Sequence, residues 1–212
     1  FITFIFKKNQ FIMRVLIFCA LFFSNFIVAQ NNENKYTEAV DLYVEGDFET
    51  ALTLFENFEK TEKHNLNKIL YFKGLTLFEL NRNEDALKVF DRNILLFPES
   101  FISYKGKGQY YFYLENYKEA IDFFSRAIII DDKNSDVIYE RGECYFGLED
   151  YNLAISDYTR AIELNSNLPE YYISRCFCYH FMKEFDKSCA DYKKAIALGS
   201  DIDKKIEFDS CK

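Results

Sequence analysis

The chain has 212 residues, of which 49% are apolar and 28% are charged, a balance typical of a globular protein and not of a disordered one. Its formal net charge of −8 at neutral pH argues against nucleic acid and anionic membrane surfaces as partners. Glycine and proline number only 7 and 2, beside 16 tyrosines and 24 phenylalanines, which favours helices joined by short turns over strands.

The amino-terminal segment is typical of a secretory signal peptide. Met13 and Arg14 precede a short apolar run at residues 15–23, and the small Ala29 ends the segment. We interpret Met13 as the start, residues 1–12 as an upstream extension and the bond after Ala29 as the cleavage site. The predicted location is therefore outside the cytoplasm, periplasmic or secreted.

The alternative interpretation of this segment is an uncleaved membrane anchor. A membrane span needs about 20 apolar residues, and the polar pair at 24–25 interrupts the run before that length. We therefore expect no membrane span after cleavage. Removing residues 1–29 takes away three basic residues and no acid, so the net charge of the mature chain becomes −11.

A 34-residue pattern occurs twice in succession, at residues 101–134 and 135–168. Positions 4, 8 and 11 of each copy share one face of a helix, and so do positions 20, 24 and 27, which predicts two helices per copy. Small residues at positions 8 and 20 predict a close approach of the two helices, while Asn116 and Asp150 suit the turn between them. The matching residues are Tyr104, Gly108, Tyr111, Ala120, Phe124 and Ala127, then Ile138, Gly142, Tyr145, Ala154, Tyr158 and Ala161.

The same pattern extends in both directions along the chain. Together with the central pair, residues 32–66, 67–100 and 169–200 give five repeats, of which the outermost match least well. Within the last segment, residues 201–212, Ile202 and Ile206 form one apolar stripe, which predicts a capping helix. The predicted fold class is all-α, with five antiparallel helix pairs and a carboxyl-terminal cap.

This pattern of Gly, Tyr, Ala, Phe and Ala at constant spacing resembles the tetratricopeptide repeat, and the resemblance covers residues 32–200. It implies a right-handed superhelical solenoid in which the first helix of each pair lines a concave groove. In that family positions 2, 5, 9, 12 and 13 commonly face the groove. Here they bring an aromatic set to the predicted peptide-binding surface, namely Tyr36, Tyr43, Tyr71, Phe78, Phe112, Tyr113, Tyr139, Phe146, Phe177, His180 and Phe181.

The sequence offers little that suggests catalysis or a bound metal. His64 and His180 are the only histidines, and no phosphate-binding loop or metalloprotease motif occurs. The densest group of possible ligands is Cys176, Cys178, His180 and Cys189, but residues two apart on a helix point about 200° apart. We expect a non-enzymatic protein with no metal site and no cofactor.

Five cysteines remain after signal cleavage. Cys189 lies just past the packed face of its helix, where a capping helix would dock, and Cys211 lies in that predicted helix. Cys189 and Cys211 are therefore the preferred disulfide pair, worth on the order of 3 kcal/mol in the chain-entropy model. The alternative is that all five thiols are free.

Some tetratricopeptide proteins clamp the carboxyl terminus of heat-shock chaperones with basic and amide side chains at fixed positions. The corresponding residues here are Lys105, Gln109, Glu140, Glu170 and Ser174. Two acids stand where a carboxylate would bind, so no such clamp is expected. The sequence leaves two functions open: an exported scaffold that holds a peptide or protein segment in the aromatic groove, or a periplasmic assembly chaperone for envelope or secreted clients.

Overall fold

The computed structural model describes residues 35–61 and 65–200. These residues contain ten α-helices and no strand. The chain divides into two compact units at Lys63 and His64. The predicted capping helix and the predicted signal peptide lie outside the described residues.

The first unit contributes one helix pair. Helix α1 covers residues 35–45 and α2 covers Phe48–Thr61. The ring of Tyr36 meets that of Phe55 edge-on at 6.5 Å, and Ala51 and Phe55 are wholly buried. The amphipathic pattern predicted for the first repeat thus forms a helical hairpin with its own apolar core.

The second unit contains four helix pairs. The first helices of these pairs are α3 (Leu66–Glu79), α5 (Phe101–Tyr113), α7 (Ser135–Gly147) and α9 (Pro169–Phe181). The second helices are α4 (Asn83–Leu96), α6 (Tyr117–Ile130), α8 (Tyr151–Leu164) and α10 (Phe185–Ala197). The predicted all-α fold of paired helices is confirmed.

Each helix of the second unit packs against the helices next to it in sequence, and successive first helices also pack against one another. Second helices contact the first helix of the following pair instead. Contacts between successive first helices join them into one layer of this unit. Their side chains form the surface that we call the first-helix surface.

The small residue at position 8 lets the two helices of a pair come together. A Cβ atom on Gly108 would lie 2.7 Å from the ring of Phe124, and one on Gly142 would lie 2.7 Å from the ring of Tyr158. Both rings are wholly buried. The predicted roles of positions 8 and 24 are confirmed in these two repeats, since a side chain larger than that of glycine at 108 or 142 would displace a core ring.

The turn between the helices of a pair has a left-handed residue at position 15. In the second unit these are Asn81, Glu115, Glu149 and Lys183, with φ between 58° and 61°. Asp150 caps α8 by accepting a hydrogen bond from the Leu153 amide at 3.3 Å, whereas the side chain of Asn116 makes no cap to α6. Each first helix ends two residues before this left-handed residue, as α5 does at Tyr113 and α7 at Gly147.

Neighbouring pairs are also joined by a basic residue at position 7. Arg141 on α7 donates to both carboxylate oxygens of Asp157 on α8 and, at 3.1 Å, to Ser125 of the preceding pair. Arg175 repeats the arrangement with Asp191 and Thr159. Each of these contacts ties three helices together, and neither was predicted from the apolar periodicity.

Candidate functional site on the first-helix surface

The predicted peptide-binding residues differ in how far the structure exposes them. Tyr113 and Phe181 are 56% and 54% exposed. The other nine are half-buried: Tyr36, Tyr43, Tyr71, Phe78, Phe112, Tyr139, Phe146, Phe177 and His180. Tyr36 and Tyr43 belong to the first unit, so the second unit holds the remaining members of the set.

The structure brings several of these rings together across neighbouring pairs. Phe78 of α3 stacks on Tyr113 of α5 with 5.7 Å between ring centroids. Phe146 of α7 lies 5.9 Å from Phe181 of α9, and Tyr151 of α8 stacks on Phe181 at 5.4 Å. Contacts of this kind restrict the rotation of a ring, so Tyr113 and Phe181 are exposed apolar side chains of fixed orientation.

A line of polar contacts crosses three successive first helices. The hydroxyl of Tyr71 donates to Oε1 of Gln109 at 2.8 Å, and the Gln109 amide donates to Oε1 of Glu140 at 2.7 Å. Lys105 approaches the same oxygen of Glu140 at 3.3 Å. Burial raises the pKa of Glu140 by more than Lys105 and Gln109 lower it.

Tyr139 lies at the centre of a group that the sequence analysis identified only in part. Its ring stacks on Tyr171 with 4.8 Å between centroids, and its hydroxyl is 3.1 Å from Oγ of Ser174. Burial, followed by the carboxylate of Glu143, raises its pKa. Tyr171 occupies position 3, which is not one of the groove positions, and it is almost wholly buried.

Two carboxylates beside this group accept hydrogen bonds from tyrosine hydroxyls. Tyr158 donates to Oε1 of Glu143 at 2.6 Å, and Tyr171 donates to Oδ1 of Asp136 at 2.7 Å. Tyr158 at position 24 therefore has two roles: its ring packs in the core, and its hydroxyl bonds to Glu143 on the first-helix surface.

Three of the cysteines that the structure describes are packed in the core. Cys144, Cys176 and Cys178 are free and buried, and burial raises the pKa of all three thiols, that of Cys178 to about 12. In the described part of the chain no three His, Cys, Asp or Glu residues are placed to hold a metal ion. Cys189 is disulfide-bonded, but Cys211 lies outside that part, so the pairing of these two stays a prediction.

Among residues 35–61 and 65–200, no helix combines the length and the apolar character that crossing a membrane requires.

Comparison with known proteins agrees with this architecture. Residues 101–134 and 135–168 match the family model of the tetratricopeptide repeat, and residues 16–93 match that of anaphase-promoting complex (cyclosome) subunit 3. A comparison with curated proteins by sequence found no significant match.

Three solved structures illustrate the similarity of fold. A tetratricopeptide repeat protein of Thermus thermophilus is 22% identical, with a TM-score of 0.69 over 85% of this chain and 98% of that one. MamA of Desulfovibrio magneticus is 22% identical, with a TM-score of 0.64 over 81% and 97%. The anaphase-promoting-complex assembly Cut9–Hcn1 is 16% identical, with a TM-score of 0.66 over 81% of this chain and 33% of that one.

The fold and its first-helix surface define an α-helical repeat scaffold. The chain contains two tetratricopeptide repeats, at 101–134 and 135–168, within a fold of paired helices that tetratricopeptide repeat proteins share. Proteins of this fold generally act as non-enzymatic scaffolds for protein interactions, and this chain shares that architecture.

Proposed function

We propose that this protein is an exported scaffold whose first-helix surface holds a segment of another polypeptide. The observation that carries the proposal is the exposure of Tyr113 and Phe181, both more than half exposed although each stacks on a ring of a neighbouring helix. Rigid aromatic projections provide large contact area at small cost in conformational entropy. An extended or helical peptide that crosses α5, α7 and α9 would contact both rings.

Site-specific photo-crosslinking in the native cells tests this surface. A photoreactive phenylalanine analogue replaces Tyr113 or Phe181 in one set of variants. In the control set it replaces Leu95 or Ile129, which are 80% and 82% exposed on the second helices. We expect crosslinks to one discrete polypeptide from the first set alone. Equal yields from both sets, or none from the first, would contradict the proposal, and crosslinks to many clients would favour a chaperone.

Export forms the second part of the proposal and rests on the amino-terminal sequence. Amino-terminal sequencing of the protein recovered from the cell envelope or medium should begin at Gln30. An intact leader on protein found only in the cytoplasm would contradict export. Thiol counting without reductant on the same material should find three accessible thiols after unfolding if Cys189 pairs with Cys211, and five if it does not.

A further inference from the structure

The charges of the second unit are distributed unevenly between its two layers of helices. In the last two pairs the arginines at position 7, Arg141 and Arg175, pair with Asp157 and Asp191 on the second helices. These cations are therefore engaged away from the first-helix surface. The acids of that surface in the same pairs include Asp136, Glu143 and Glu170.

These three acids lack a cationic partner within the part of the chain that the structure describes. Asp136 and Glu143 each accept a hydrogen bond from a tyrosine hydroxyl at one oxygen, and none of the three forms an ion pair there. Glu143 and Glu170 both lie close enough to Tyr139 to act on its hydroxyl electrostatically. Asp136 joins this group through Tyr171, whose hydroxyl donates to it and whose ring stacks on that of Tyr139.

The neighbouring acid, Glu140, adds an acceptor. Its Oε1 receives Gln109 and Lys105, but its Oε2 is buried and accepts no hydrogen bond from the described residues. A buried acceptor without a donor is uncommon and costs free energy. Among the described residues, Lys105 is the cation that pairs with Glu140, and it forms no ion pair with Asp136, Glu143 or Glu170.

We infer that the polypeptide segment held by the first-helix surface presents an arginine or lysine to the carboxylates around Tyr139. A guanidinium or ammonium group would form an ion pair with Glu143, with Asp136 and Glu170 beside it. Such charge-assisted hydrogen bonds to carboxylates are about twice as strong as hydrogen bonds between neutral groups. Apolar side chains on either side of that cation would contact Tyr113 and Phe181. This inference rests on the proposed function and specifies the chemistry of the partner.

Selection of phage-displayed random 12-residue peptides against the full chain tests this inference. It tests both the basic residue at the carboxylates and the apolar residues at Tyr113 and Phe181. Selected peptides are then synthesised with a fluorescent label, and each arginine is replaced by citrulline, its neutral isostere. We expect citrulline to weaken binding to the wild-type protein by about tenfold or more, the size of one hydrogen bond to a charged group. The same replacement should change affinity for the Glu143→Gln variant by less than about twofold.

The matched control is Glu119→Gln, at an exposed position on the second helix α6. It should behave as the wild type, and Glu170→Gln provides a second variant if Glu143→Gln unfolds. Peptides that bind through Tyr113 and Phe181 without a preference for basic residues would overturn this inference and leave the proposed function standing. A selection in which no peptide depends on those two rings would overturn the proposed function itself.

Discussion

Arg141 donates two hydrogen bonds, of 2.8 and 2.7 Å, to the two carboxylate oxygens of Asp157. The side chain of Asp157 is 9% exposed, and Asp157 and its hydrogen bonds raise the pKa of Arg141 further. A bidentate pair in this setting fixes both side chains and joins α7 to α8. Through Ser125 the same guanidinium reaches α6, so this contact connects neighbouring repeats.

Asp157→Ala should destabilise the protein by about 2 to 3 kcal/mol, because it leaves a partly buried guanidinium without its carboxylate. Urea unfolding followed by circular dichroism measures this change. The control is Asp122→Ala, which removes an exposed carboxylate from α6. Equal stabilities of the two variants would show that the Arg141 pair contributes nothing to folding.

Gly142→Leu should destabilise the protein by about 1 to 3 kcal/mol or more, since even a Cβ atom there would lie 2.7 Å from the ring of Tyr158. Gly108→Leu should do the same through Phe124. Thermal unfolding measures both, with Ala190→Leu at an exposed position of α10 as the control for added apolar volume. Unchanged melting temperatures for both glycine variants would mean that position 8 does not form the close approach.

Glu115→Gly should stabilise the protein by about 0.5 to 1 kcal/mol, because Glu115 has φ of 59° and glycine adopts this conformation without the steric cost of a Cβ atom. Asn81→Gly should give a smaller gain, since asparagine tolerates the left-handed region better. Denaturant titration of the two variants gives the comparison. A loss of stability in Glu115→Gly would indicate that its side chain makes a contact worth more than the strain.

The pKa of Glu140 is raised above its ordinary value of 4.5, chiefly by burial, so the folded protein binds a proton more tightly than the unfolded chain does. Stability therefore rises relative to Glu140→Gln as pH falls from 7 toward 4.5, and that gain is lost as pH rises through the folded-state pKa. Unfolding free energies at pH 7 and pH 5 for the wild type and the variant measure the difference, with Glu119→Gln as control. A wild type that loses stability relative to Glu140→Gln on acidification would show that Lys105 outweighs burial.

The sequence allowed the helix pairs and their packing to be predicted because both follow from apolar periodicity. Positions 8 and 24 depend on residue size alone, and the structure places Gly142 against Tyr158 accordingly. The left-handed turn was not predicted, since Glu115 and Lys183 lack the glycine that normally marks such a conformation.

The polar contacts could not be predicted from periodicity, because they join side chains on different helices. A signal for the Arg141 pair was nevertheless present: position 7 is basic in four successive repeats, as Lys73, Lys107, Arg141 and Arg175. Within the candidate site, the aromatic positions were predicted but the hydroxyl contacts of Tyr158 and Tyr171 were not. Both tyrosines occupy core positions, and only their hydroxyls bond to side chains of the first-helix surface, Glu143 and Asp136.

The contacts from Tyr71 through Gln109 to Glu140 set the spacing of three consecutive first helices before any ligand arrives. Because the spacing of these helices is fixed, the surface would bind best a peptide whose anchoring side chains are separated by the matching distance. Two peptides of identical composition would then differ in affinity if their anchors were separated by different numbers of residues. Selectivity in this protein would depend on the order of residues in the ligand as much as on their chemistry.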